Sequence, residues 1–74
     1  MRAALRLEKR ASGKTVTVLG GLPRNAAFLA SLLQELKKSC GTGGRAVEAT
    51  VELQGDQRER LRELLAGKGW TVKG

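Results

Sequence analysis

Seventy-four residues make one small domain, residues 1–74, with a thin core and no room for a deep cleft between lobes. Fourteen lysines and arginines against seven acids leave a net charge of +7, and 41% hydrophobic residues suffice for a folded core. With no histidine or tyrosine and one cysteine, Cys40, an internal disulfide, histidine-based nucleophiles and closed zinc sites are excluded, so no cofactor or metal is expected.

No apolar run approaches the ~20 residues of a membrane span, and Met1–Arg6 lacks the apolar stretch of a secretory signal. A soluble, cytoplasmic monomer with no membrane partner is the expectation. Its surplus of positive charge favours polyanions as ligands, nucleic acid first.

Leu5 and Leu7 alternate with Arg6 and Glu8, and Val16 and Val18 with Thr15 and Thr17, which predicts two strands. The short polar segment 9–14 joins them as a hairpin. After Gly20-Gly21-Leu22-Pro23, Asn25 is the predicted N-cap of a helix carrying Leu29, Leu32, Leu33 and Leu36 at helical spacing. Cys40-Gly41 ends it. Val47, Val51 and Leu53 share one parity, read as a strand or a short hairpin bent near Glu48-Ala49. Asp56 opens a second helix, with Glu59 three positions on as in a capping box; Leu61, Leu64 and Leu65 are its buried stripe, and Gly67 its end. Trp70 and Val72 fall on one face of a last strand, with Trp70 in the core. This order implies an α+β fold, a two-layer α/β sandwich with two helices on one face of a four- to five-stranded sheet.

The charge is uneven. Residues 1–14 hold five cations (Arg2, Arg6, Lys9, Arg10 and Lys14) against Glu8 alone, whereas residues 45–74 hold six cations against five acids. A hairpin tip projects from its sheet, so Lys9, Arg10 and Lys14 are expected to point outward toward phosphates. Gly13-Lys14-Thr15 resembles the end of a phosphate-binding loop, but such a loop needs a glycine at position 8 and a helix after it. Position 8 is Glu8 and the following segment reads as strand, so nucleotide hydrolysis is excluded.

Cys40-Gly41-Thr42-Gly43-Gly44, flanked by Lys37, Lys38 and Arg45, is either a turn that lets a ligand backbone approach or a helix cap with a flexible connector. Arg58, Arg60 and Arg62 lie among Glu59 and Glu63 on the second helix, a mixed face that suits solvent as well as phosphates. The seven carboxylates are scattered without an acid–base pair, which argues against an enzyme. Only 3% of residues are aromatic, too few for base stacking on a sheet, so RNA would be met through its backbone and shape.

Three ordered segments carry a resemblance: Gly13-Lys14-Thr15-Val16-Thr17-Val18, Leu36-Lys37-Lys38-Ser39-Cys40-Gly41-Thr42-Gly43-Gly44, and Val51-Glu52-Leu53-Gln54-Gly55-Asp56-Gln57-Arg58. Together with Gly69-Trp70-Thr71-Val72-Lys73 they resemble the SUI-domain family, that of eukaryotic translation initiation factor 1 and its archaeal and bacterial homologues, over residues 5–73. The arginine-, glycine- and alanine-rich style is that of a bacterial member. The resemblance implies a non-enzymatic factor that binds the small ribosomal subunit near the peptidyl-tRNA site and modulates start-codon and initiator-tRNA selection. Its implied RNA-binding residues are Lys9, Arg10, Ser12, Gly13 and Lys14 in the hairpin loop. Lys37, Lys38, Thr42, Gly43, Gly44 and Arg45 at the glycine turn and Arg58 on the second helix complete them. The loop is shorter than in many relatives, and Val47-Glu48-Ala49-Thr50 stands where the family often has an Asp-Gly turn. The basic surface would equally suit a protein-interaction or stress-regulatory module that binds acidic partners and no RNA.

Overall fold

The computed structural model describes all 74 residues. The elements are β1 (Arg2–Lys9), a single 3-10 turn (Ala11–Gly13), β2 (Thr15–Gly20), α1 (Ala26–Cys40), β3 (Gly44–Val47), β4 (Thr50–Gln54), α2 (Arg58–Gly67) and β5 (Thr71–Lys73). The five strands form one sheet in the order β3-β4-β2-β1-β5, antiparallel except for the parallel pair β1–β5. Both helices pack on one face: Leu29, Leu32 and Leu36 of α1 and Leu61 and Leu65 of α2 join Ala3, Leu5, Leu19, Val51 and Leu53 of the sheet in one buried cluster. The expected α+β sandwich is observed, with five strands.

The helix ends follow from local chemistry. Asn25 Oδ1 accepts a hydrogen bond from the Phe28 amide at 2.9 Å and caps α1. Gly41, at φ 62°, closes α1 with its N–H donated to the Lys37 carbonyl. The second helix starts differently from the expected capping box. Asp56 lies outside α2 and accepts from the Arg58 amide at 3.2 Å, while the N-cap residue, Gln57, makes no side-chain cap bond. Thr17, buried in β2, does the anchoring. Its hydroxyl donates to the Gly55 carbonyl at 2.6 Å and accepts from the Gln57 amide at 2.8 Å.

The pairing decides which face of β2 is inward and changes one expected parity, that of Val47. In β2 the inward residues are Thr17 and Leu19, because Thr17 pairs with Leu7 and Leu53 and Leu19 with Leu5 and Val51. Val16 and Val18 therefore lie on the open face. Val47 leaves the face of Val51 and Leu53 because Glu48-Ala49 forms a two-residue turn that pairs Val47 with Thr50. Such a turn places odd residues before it beside even residues after it, and Val47 is exposed. The expected bend at Glu48-Ala49 is present, with Glu48 at φ 53°.

Trp70 is half-buried at the far end of the domain, where its ring stacks on Phe28 with centroids 6.2 Å apart.

Candidate nucleic-acid interface

The segments singled out from the sequence converge on one end of the sheet. Antiparallel pairing brings the end of β1 and the start of β2 to the same end as the last residues of β4 and the first of β3. The end of α1 and the start of α2 connect directly to these strands. Three backbone hydrogen bonds stitch the loops together. The Gly55 amide donates to the Thr15 carbonyl at 2.8 Å, the Gln54 amide to Gly43 at 3.0 Å, and the Arg10 amide to Lys14 at 2.6 Å. The Thr42 hydroxyl adds a bond to the Gln54 carbonyl at 3.2 Å.

The glycine turn is thus neither a flexible connector nor, at Gly44, an opening for a ligand. A Cβ on Gly44 would lie 2.4 Å from the Glu52 carbonyl oxygen and 2.7 Å from a Leu53 methyl, so that glycine lets β3 approach β4. In the hairpin loop, Ser12 and Gly13 take successive left-handed conformations at φ 68° and 73°, which turns the chain within five residues. Ser12, Gly13, Lys9 and Lys14 are all exposed.

The arginines behave differently from the lysines. Arg10 is still extended (φ −107°, ψ 170°), so it continues the alternation of β1 and falls on the face of Glu8. Its guanidinium binds Glu8 Oε1 at 2.6 and 3.1 Å and Glu52 Oε2 at 3.1 Å. The expected outward projection therefore fails for Arg10, which folds back onto acids of the open face. Arg45 is held by Glu52 Oε1 at 3.1 Å, and Arg58 chelates its neighbour Asp56 at 2.9 and 3.0 Å. Lys9, Lys14, Lys37 and Lys38 have no acidic partner.

These contacts set the local titration. The Arg10 guanidinium, and after it Arg45, holds the Glu52 carboxyl below its ordinary range against the opposing effect of burial. Arg6 and Arg10 do the same for Glu8, and Arg58 for Asp56. Burial pushes the Cys40 thiol up, which leaves it a poor nucleophile.

Between the loop and the β3–β4 pair lies an open depression of about 370 Å³, lined among others by Arg10, Lys14, Arg45 and Gln54. No group of three or more Cys, Asp or Glu side chains is placed to hold a metal ion. No helix is long and apolar enough to cross a membrane.

Sequence reasoning missed Thr17 and Glu52, which fasten this end of the sheet. The signal for Glu52 was its parity opposite Val51 and Leu53, but its partners depend on strand order, which periodicity does not reveal.

The family model described as "Translation initiation factor SUI1" matches residues 2–71. The chain is 42% identical over 72 residues to "Uncharacterized protein YciH" of Salmonella typhimurium, covering 93% of this chain and 67% of that protein. It is 48% identical over 61 residues to "Uncharacterized protein sll0546" of Synechocystis, covering 82% and 55%. It is 41% identical over 66 residues to "Protein translation factor SUI1 homolog" of Sulfurisphaera tokodaii, covering 89% and 66%. The chain therefore spans about two thirds of the length of the first and third of these relatives and about half of the second. Matched nearly end to end, and similar to bacterial and archaeal proteins alike, the chain belongs to the SUI1 family of translation initiation factors.

Proposed function

We propose that the lysine-bearing end of the sheet docks on RNA of the small ribosomal subunit beside the peptidyl-tRNA site, and there modulates start-codon and initiator-tRNA selection. Family membership supports a translation initiation factor-like role. The observation that carries the finer reading is the gathering of Lys9, Lys14, Lys37 and Lys38 at one end of the molecule, each free of acidic partners. Lysines without a partner are free to neutralise phosphates and release counterions. The two large aromatics stack on each other at the opposite end, so recognition is through the RNA backbone and its shape rather than through stacked bases. In this reading the chain acts as a cytoplasmic, cofactor-free, non-catalytic monomer.

Cosedimentation with purified small ribosomal subunits across a salt series tests it. Changing all four lysines to alanine should weaken binding by about tenfold or more at moderate salt. The slope of log affinity against log salt should flatten by roughly 0.7–0.9 for each lysine that touches a phosphate. Binding that survives the fourfold change undiminished sinks the proposal.

A further inference from the structure

An acid in the middle of a surface meant for a polyanion is an electrostatic cost, and Glu52 is such an acid. It stands on the open face of β4, in register with Val18 of β2 and Arg45 of β3. Its side chain is only 14% exposed, and its two oxygens are divided between two segments. Oε2 accepts from Arg10 at the hairpin loop and Oε1 from Arg45 just after the glycine turn, each at 3.1 Å. Glu8 gives Arg10 a second anchor and also holds Arg6 at 2.6 Å. Charges of opposite sign thus alternate over three strands and the loop: Arg6, Glu8, Arg10, Glu52, Arg45.

We propose that Glu52 is a positioning residue for RNA binding: its carboxylate clasps Arg10 and Arg45, so that these arginines fix the loop while Lys9 and Lys14 meet the phosphates. The inference rests on the ribosomal reading above and reassigns two of its arginines. Arg10 is 34% exposed, and its Nε and Nη2 are already committed to two acids, so it has less charge and fewer donors to offer a phosphate than the unpaired lysines beside it. Arginine suits the task because its planar fork can bind two carboxylates at once. A loop with two successive left-handed residues has few other ties: one backbone bond between Arg10 and Lys14 and the ladder behind it. Contacts left unsupported lose their geometry, and their affinity with it.

The test compares wild type with Glu52→Gln, which keeps the size of the side chain and raises the net charge by one. If Glu52 merely masks two arginines, the variant binds small subunits more tightly, with a steeper salt dependence. If Glu52 positions the loop, the variant binds roughly three- to tenfold more weakly, with no steeper salt slope. Amide hydrogen exchange at Ser12–Lys14 then quickens while that of α1 stays the same. Arg45→Met, which removes one arm of the clasp and leaves Arg10 on Glu8 and Glu52, should move loop exchange and affinity in the same direction as Glu52→Gln but less far.

Tighter binding by Glu52→Gln, or unchanged loop exchange, overturns the inference. Failure of the wild-type chain to bind subunits overturns the ribosomal reading instead, and loop exchange still decides whether the clasp exists. Should Glu52→Gln fail to fold, Glu8→Gln removes the other anchor of Arg10 and is expected to move both readouts in the same direction.

Discussion

On the helix side of the sheet, Leu19, Val51 and Leu53 are wholly shielded beneath the leucines of α1 and α2. On the open side there is no second layer, yet Val18 is only 1% exposed. Its cross-strand neighbours are Arg6 and Glu52, and with Arg10 they form the ion-paired lattice that closes over it. Arginine stems are apolar and cover such a residue while their heads stay in water. One face is thus sealed by leucines that respond little to solvent conditions. The other is sealed by charges whose grip depends on pH and salt.

The largest expected effect breaks the leucine-sealed face. Leu53→Ala should cost about 2–5 kcal/mol, a large part of the stability of so small a domain, as read by urea unfolding. Its deficit should be nearly independent of salt. Val18→Ala removes less volume, and its lid of flexible side chains collapses more easily, so a loss of about 1–2 kcal/mol is expected. A Val18→Ala deficit as large as that of Leu53→Ala would show that the open face is packed as rigidly as the core.

The smallest effect is the most diagnostic. Glu8 and Glu52 are held below the ordinary carboxylate range by arginines, so they bind fewer protons folded than unfolded. Their contribution is complete above that range and disappears as the pH falls through it toward the depressed values. Melting curves should therefore show Glu52→Gln less stable than wild type at neutral pH, with the gap closing in acid and shrinking in high salt. A gap that persists in acid would mean that the ion pairs are not what holds the lattice.

Much of this architecture was legible in the residues. Alternation located the strands, leucine spacing the helices, and Asn25 and Gly41 the ends of α1, because each of these signals acts over a few neighbours. What escaped was set by partners distant in the chain. Periodicity shows that β2 has two faces, but β-branched residues suit either one; Thr17 went inward because its hydroxyl satisfies the Gly55–Gln57 segment some 40 residues away. In the same region α2 begins one residue later than expected: Gln57, tied to Thr17, is its N-cap, and Asp56 accepts from the Arg58 amide from outside the helix. The basic segments could be named, and the family resemblance supplied their role. That they share one end, with the arginines folded back and the lysines free, needed the strand order β3-β4-β2-β1-β5. The fate of Arg10 shows the point: its direction follows from one extended residue, while its partner Glu52 comes from the other half of the chain.

The parallel pairing of β5 with β1 joins Arg2 to Thr71 and Ala3 to Val72, among the most widely separated positions in the sequence. A nascent chain cannot complete this sheet as it grows, because its earliest strand awaits its latest. Until Thr71–Lys73 has been synthesised, one side of β1 keeps its amides and carbonyls open to any other strand. The β1–β5 ladder is therefore the last part of this sheet that can form, whatever order the other strands take.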